Sequence, residues 1–225
     1  MKEPVFDIAV IGLGPPGSTQ ARQLSPDFKV IAFDKKSTGE DSFRKPCAGM
    51  LSHHGQECFA KHGLTLPSDV LVTQLFSAKV IDLKYDCMRT YRRLYINMDR
   101  HRFDLWLKSL IPAEIEIHDN VLCTSFTKTE SCYEITVKEN LREMKYYARN
   151  IVGADGANSL VRKTLFPDHK IKTYMSIQQR FKARDGDPSK IQTCRKNDKK
   201  TFYHEPGSQK NHYAFRSRFH PYIRS

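Results

Sequence analysis

The chain has 225 residues, with 37 Lys and Arg against 25 Asp and Glu, a net charge of +12 and a mean hydropathy of −0.58. That length holds one sizeable core plus a further fragment at ~100–200 residues per domain, and no apolar run reaches the ~18 residues that span a bilayer, so any membrane contact is expected to be peripheral. Six cysteines with neither a C-x-x-C pair nor a zinc-type Cys/His spacing indicate neither a disulfide framework nor a metal site, and fit reduced thiols in a cytoplasmic protein.

The N-terminal residues 1–7 mix charges with a short apolar stretch and lack the basic and apolar regions of a signal peptide. Phe6 to Ile11 is an apolar, β-branched run closed by glycine, which predicts a buried parallel strand. The turn Gly12-Leu13-Gly14-Pro15-Pro16-Gly17 follows, then a helix from Ser18 to Leu24 and a second buried strand, Lys29 to Asp34, that ends on an acid. A polar loop, Lys35 to Lys45, leads into Pro46-Cys47-Ala48-Gly49-Met50 and a helix from His53 to His62, stopped by Gly63.

Val70 to Leu83 and Met88 to Ile96 read as strands of a second sheet, and Arg100 to Ile111 as a helix with a broad apolar face, ended by Pro112. Glu114 to Ile117, Val121 to Phe126, Tyr133 to Val137 and Met144 to Ala148 alternate like strands, the last three as an antiparallel meander between polar turns. Asn150 to Gly153 reads as a central strand entering the turn Gly153-Ala154-Asp155-Gly156, with a helix from Ser159 to Leu165 behind it.

Beyond residue 181 the composition changes. Residues 182–225 carry eleven Lys and Arg against four Asp and Glu, seven of the twelve excess charges, with no Leu, Val, Met or Trp. Such a segment offers little aliphatic surface to bury and is expected to pack poorly. A charge run of this kind reads as a solvated face, so no specific nucleic-acid partner is expected.

The glycines at 12, 14 and 17 have the G-x-G-x-x-G spacing of a dinucleotide-binding turn: one for the tight turn, one for close approach of a pyrophosphate, one for helix–strand packing. Asp34, at the tip of the next strand, can accept from ribose hydroxyls or cap its own turn; its charge disfavours a 2′-phosphate, hence FAD or NAD over NADP. Asp155 stands at the C-terminal edge of the sheet, placed either to accept near the diphosphate and ribityl chain or to cap the following helix. Arg100 opposes the dipole at its helix start, a placement explained by flavin phosphate or ribityl contacts or by an ion pair with Asp99 or Asp104.

Together, Gly12-Leu13-Gly14-Pro15-Pro16-Gly17, Lys45-Pro46-Cys47-Ala48-Gly49, Asp99-Arg100-x-x-Phe103-Asp104 and Gly153-Ala154-Asp155-Gly156 resemble the geranylgeranyl reductase family of flavoproteins, over about residues 5–180. The resemblance implies that Gly12, Gly14, Pro16 and Gly17 hold the pyrophosphate, that Asp34 with Lys35 beside it takes the adenosine ribose, and that a backbone group near Leu122 takes the adenine. Arg100 and Asp155 would serve the flavin side, with Cys47 and Ala48 lining the isoalloxazine. Cys47 carries the one catalytic expectation, against the alternative of a small buried apolar residue. Ala48 and Met50 stand where the family has glycines.

The fold expected is α/β: a Rossmann-type FAD-binding domain with a parallel sheet, an antiparallel β-meander insertion and part of a second antiparallel, substrate-side sheet. The domain is expected over 1–181, with 64–98 on the substrate side and 182–225 as a basic tail. The family runs well past this length, so the chain reads as a shortened or altered member. The function implied is hydride transfer from reduced FAD to an apolar, polyprenyl-type substrate, with NAD(P)H or another donor reducing the flavin. The alternative is a flavin-binding module that turns nothing over.

Overall fold

The computed structural model describes residues 6–39, 47, 49–72, 74, 76–82, 85–92, 94–169, 171–172, 177–181 and 212–216. The chain divides into two units, one of residues 1–44 and 101–171, the other of residues 45–100 and 172–225.

The first unit is built on a six-stranded sheet. Strand β1 (Phe6–Ile11) pairs in parallel with β2 (Val30–Asp34) on one side. Their side chains alternate between two cores, as the two-residue strand period requires. Ile8, Val10, Val30 and Ala32 pack with Leu13 and Ala21 of the first turn and helix. Ala9, Ile11, Ile31 and Phe33 pack into the other core. Burial on both faces explains why these strands read as continuous apolar runs. Helix α1 (Pro15–Gln23) connects them. It begins three residues before the expected Ser18, because Pro15 and Pro16 at its first two positions carry the φ a first turn needs and lose no amide the helix would use.

After the second unit's residues the chain returns through α3 (Arg100–Ser109) to β7 (Glu116–Asp119), which pairs in parallel with β2. β8 (Val121–Lys128), β9 (Tyr133–Glu139) and β10 (Arg142–Gly153) form the antiparallel meander. The sheet order is β7-β2-β1-β10-β9-β8. Val121, Phe126, Ile135 and Val137 of the meander share a core with Ile31 and Phe33 of β2, so the sheet curls its antiparallel edge back over the parallel part. The two expected strands 144–148 and 150–153 are one. β10 pairs with β9 through Ala148 and with β1 from Ala148 to Gly153, with no Gly or Pro to break the strand between Tyr146 and Val152. Helix α4 (Leu160–Leu165) follows the Gly153–Gly156 turn.

The second unit holds α2 (His53–Lys61), capped by Ser52 and stopped at Gly63 with φ +64°. Its paired strands are β3 (Met50–Leu51) with β6 (Ile96–Asn97), β4 (Ser77–Asp82) with β5 (Cys87–Arg92), and β11 (Ile177–Phe181) with β12 (His212–Arg216). The strand expected from Val70 starts only at Ser77. The amides of Val70 and Leu71 are taken by Pro67 and Ser68 carbonyls in a turn, and the Gln74 side chain bonds the Asn97 backbone at both its amide and carbonyl. The expected strand 88–96 is likewise two strands, split by the exposed Leu94, whose carbonyl accepts from Gln56.

Candidate functional site

The C-terminal edge of the parallel strands gathers most of the expected residues of the first unit. The Gly12 amide donates to the Phe33 carbonyl at 2.8 Å, and the Ala154 amide to the Ile11 carbonyl at 2.8 Å. The first glycine turn, Asp34 and the Asp155 turn therefore stand side by side on three adjacent strands. Open α/β sheets bind ligands at this edge.

The three glycines are there for different reasons. Gly12 has φ +95°, and a Cβ on it would lie 2.6 Å from the Ala154 carbonyl oxygen. On Gly17 a Cβ would lie 1.8 Å from the Gly12 carbonyl oxygen, so its absence lets helix and strand meet. Gly14 has ordinary extended angles, φ −68° and ψ −176°, and a Cβ there would meet nothing within 4 Å. Neither backbone nor packing asks for glycine at 14; the open space in front of a helix N-terminus is what a phosphate uses. Pro16 is exposed and has no amide hydrogen, so its contribution at this turn is steric. Ser18, fully buried, donates to the Leu13 carbonyl at 2.9 Å and locks the turn.

Asp155 has the second of its expected uses, the cap of the following helix. One carboxylate oxygen accepts from the Leu160 amide at 2.5 Å and the Val161 amide at 3.3 Å, capping α4 together with Ser159, whose hydroxyl accepts from the Arg162 amide at 2.9 Å. The other oxygen, Oδ1, is buried with no hydrogen-bond partner among the described residues. A buried acceptor without a donor is costly, and a ligand hydroxyl would relieve it. The open space at Gly14 and this orphaned oxygen both fit a dinucleotide. Cys123 on β8 has its thiol pushed up to about 11, by burial first and then by the Asp155 charge, so it stays protonated and inert.

Asp34 lies buried at the tip of β2. Its Oδ1 accepts from the Lys36 amide at 3.3 Å, and its Oδ2 pairs with Lys108 at 3.5 Å. Lys108 also binds Asp119 at the tip of β7, and Lys36 reaches Asp104 at 3.1 Å. Sequence reasoning missed Lys108 and Asp119. The available signal was that two strands, 116–119 and 30–34, each end on Asp; their parallel pairing, which puts the two acids in register, is a tertiary fact. Lys35 is exposed, and Leu122, 50% exposed on β8, pairs with Lys138 of β9.

In the second unit the structure brings Cys47 and Arg100 together. The Cys47 sulfur accepts from Arg100 Nη1 at 3.5 Å and from the Gly49 amide at 3.4 Å. Gly49 has φ +67°, and a Cβ there would lie 2.0 Å from the Met98 carbonyl oxygen, so this glycine is fixed by a close backbone crossing. Ala48 lies outside the described residues. Among the described residues no cluster of His, Cys, Asp or Glu could hold a metal ion, and no helix is long and apolar enough to cross a membrane.

No protein-family model matches the chain. It is 47% identical over 178 residues to protein CbrA of Escherichia coli strain K12, across 78% of this chain and 50% of that protein. Protein CbrA of Shigella sonnei matches to the same extent. The chain thus spans about half the length of the curated relatives it matches. Among solved structures, a geranylgeranyl bacteriochlorophyll reductase-like protein from Thermoplasma acidophilum is similar at a TM-score of 0.55 and 17% identity, over 67% of this chain and 39% of that one. Aklavinone-11 hydroxylase, solved with FAD and aklavinone, is similar at 0.54 and 16%, over 73% and 35%. These likenesses are of fold: the chain has the mixed α/β architecture, mostly parallel with an antiparallel meander, of FAD-binding oxidoreductases.

Proposed function

We propose that the chain is the nucleotide-holding part of an FAD-dependent oxidoreductase. The observation that carries this is Gly14, a glycine required by neither conformation nor packing, at the mouth of α1 beside the buried acid Asp34. The fold shared with aklavinone-11 hydroxylase, solved with FAD, supports it.

The turn residues Leu13, Gly14 and Gly17 would offer amides to the pyrophosphate, Asp34 would accept from the adenosine ribose, and Asp155 Oδ1 would accept from a cofactor hydroxyl. Leu122 would lie by the adenine. When bound, FAD supplies the redox chemistry, passing hydride to an apolar small-molecule or lipid acceptor of polyprenyl type, with NAD(P)H as the donor that reduces it. The protein's share is binding, orientation and charge.

The test is the absorbance of the purified chain and its melting with added FAD. A yellow protein, or one stabilised by about 2.7 kcal/mol at FAD a hundredfold above its dissociation constant, supports the reading. A colourless chain whose melting FAD leaves unmoved refutes it.

A further inference from the structure

Lys108 sits in the last turn of α3, with its ammonium on Asp34 Oδ2 at 3.5 Å and on Asp119. The Lys108 and Asp34 side chains are each only 10% exposed. The two acids are register partners at the tips of neighbouring parallel strands, whose spacing is about 4.8 Å. Lys36, the other nearby cation, is drawn to Asp104 at 3.1 Å and gives Asp34 only its amide. Lys108 is therefore the cation that bridges two adjacent carboxylates, the shielded Asp34 and the more open Asp119.

From this we propose that Lys108 is a positioning residue for ribose recognition: it holds the Asp34 carboxylate oriented so that its remaining lone pairs accept from the adenosine hydroxyls. The proposal rests on the FAD reading above. Each carboxylate oxygen of Asp34 already accepts one bond from the protein, one from the Lys36 amide and one from Lys108. A carboxylate has about four acceptor directions, so about two remain for a sugar diol. Without Lys108, Asp34 and Asp119 face each other as like charges with no cation between them, and Asp34 loses the contact that fixes its direction. A turned Asp34 no longer offers that pair of acceptors. The effect falls on the sugar hydroxyls, not on the diphosphate.

This separates positioning from a merely structural tie between α3 and the sheet. A structural tie would lower stability and weaken all ligands alike. A positioning residue changes which sugar is preferred.

The experiment titrates the full chain with FAD and with FAD whose adenosine lacks the 2′-hydroxyl, following flavin fluorescence, with melting recorded in parallel. The wild type is expected to prefer FAD by roughly tenfold or more, the value of a hydrogen bond to a charged group. In Lys108→Met the preference should fall toward one, as in Asp34→Ala. Should Lys108→Met fail to fold, the neutral Lys108→Gln is read in the same way. A folded Lys108 variant that keeps the wild-type preference, whatever its melting temperature, overturns the proposal. A wild type that binds FAD without preferring it overturns this inference alone. A wild type blind to FAD overturns the proposed function and this inference with it.

Discussion

Within a single turn, Gly14 and Gly17 are fixed by opposite needs, and this makes them separable. Replacing Gly17 by Ala drives a methyl group to 1.8 Å from the Gly12 carbonyl oxygen. It is expected to destabilise the chain by about 1–3 kcal/mol or more, read as a lowered melting temperature. Gly14→Asp meets open space, so the variant should melt within about 0.5 kcal/mol of wild type while losing all flavin signal, because its carboxylate would face the pyrophosphate. The motif spacing pointed to three glycines, and only the backbone angles and neighbouring atoms assign each its reason. Cys123 gives a prediction of another kind. Its thiol, raised from 9.0 to about 11 in the folded chain, holds its proton where the unfolded chain has lost it. That contribution to stability is intact below pH 9 and is lost as pH rises toward about 11. Tyr146, raised by burial first, and Lys145, raised by its bond to Glu134, act in the same direction. Denaturant midpoints measured from pH 8 to 11 should fall, and fall less steeply in Cys123→Ala. Nothing in the order of residues announced that a β8 thiol would lie within reach of the Asp155 charge.

Among the elements, α4 depends most on its caps. A helix of six residues is too short to stand on its own propensity. Ser159 and Asp155 between them satisfy the Leu160, Val161 and Arg162 amides. Ser159→Ala is expected to cost about 1 kcal/mol in chemical denaturation, with the Asp155 cap left in place. The first two strands were legible to within a residue because both of their faces are buried, which leaves an unbroken apolar run in the sequence. The region from Val70 to Asn97 was not, because its pairing is partly made by a side chain: Gln74 stands in for a strand neighbour of Asn97, and no periodicity encodes that. β10 was misread as two strands for a related reason. Its residues change partner at Ala148, from the antiparallel β9 to the parallel β1, and the pattern of burial changes with them.

For the chain as a whole, the fold class was plain in the sequence, since one βαβ start and a meander of alternating strands permit few other architectures. The partition into two units was less so: α3 begins with a residue of one and continues in the other. Most of the basic tail expected from residue 182 lies outside the described residues. In the second unit, Phe76 is 76% exposed and Leu94 79%. Side chains so open contribute little to the fold, so Phe76→Ser with Leu94→Ser should leave the melting temperature nearly unchanged while reducing association at high concentration, measured by light scattering.

β10 also dictates an order of events. The turn that follows β1 is closed by the Ala154 amide and by the wall that residues 148–153 lay along β1, residues made long after the first strand has left the ribosome. Until then β1 has a neighbour on one side alone, β2, and the glycine turn lacks one of its sides. A nascent chain arrested before Gly153 should therefore bind no dinucleotide, however complete its N-terminal motif, and ligand capture should begin only when synthesis has passed the last strand of the meander.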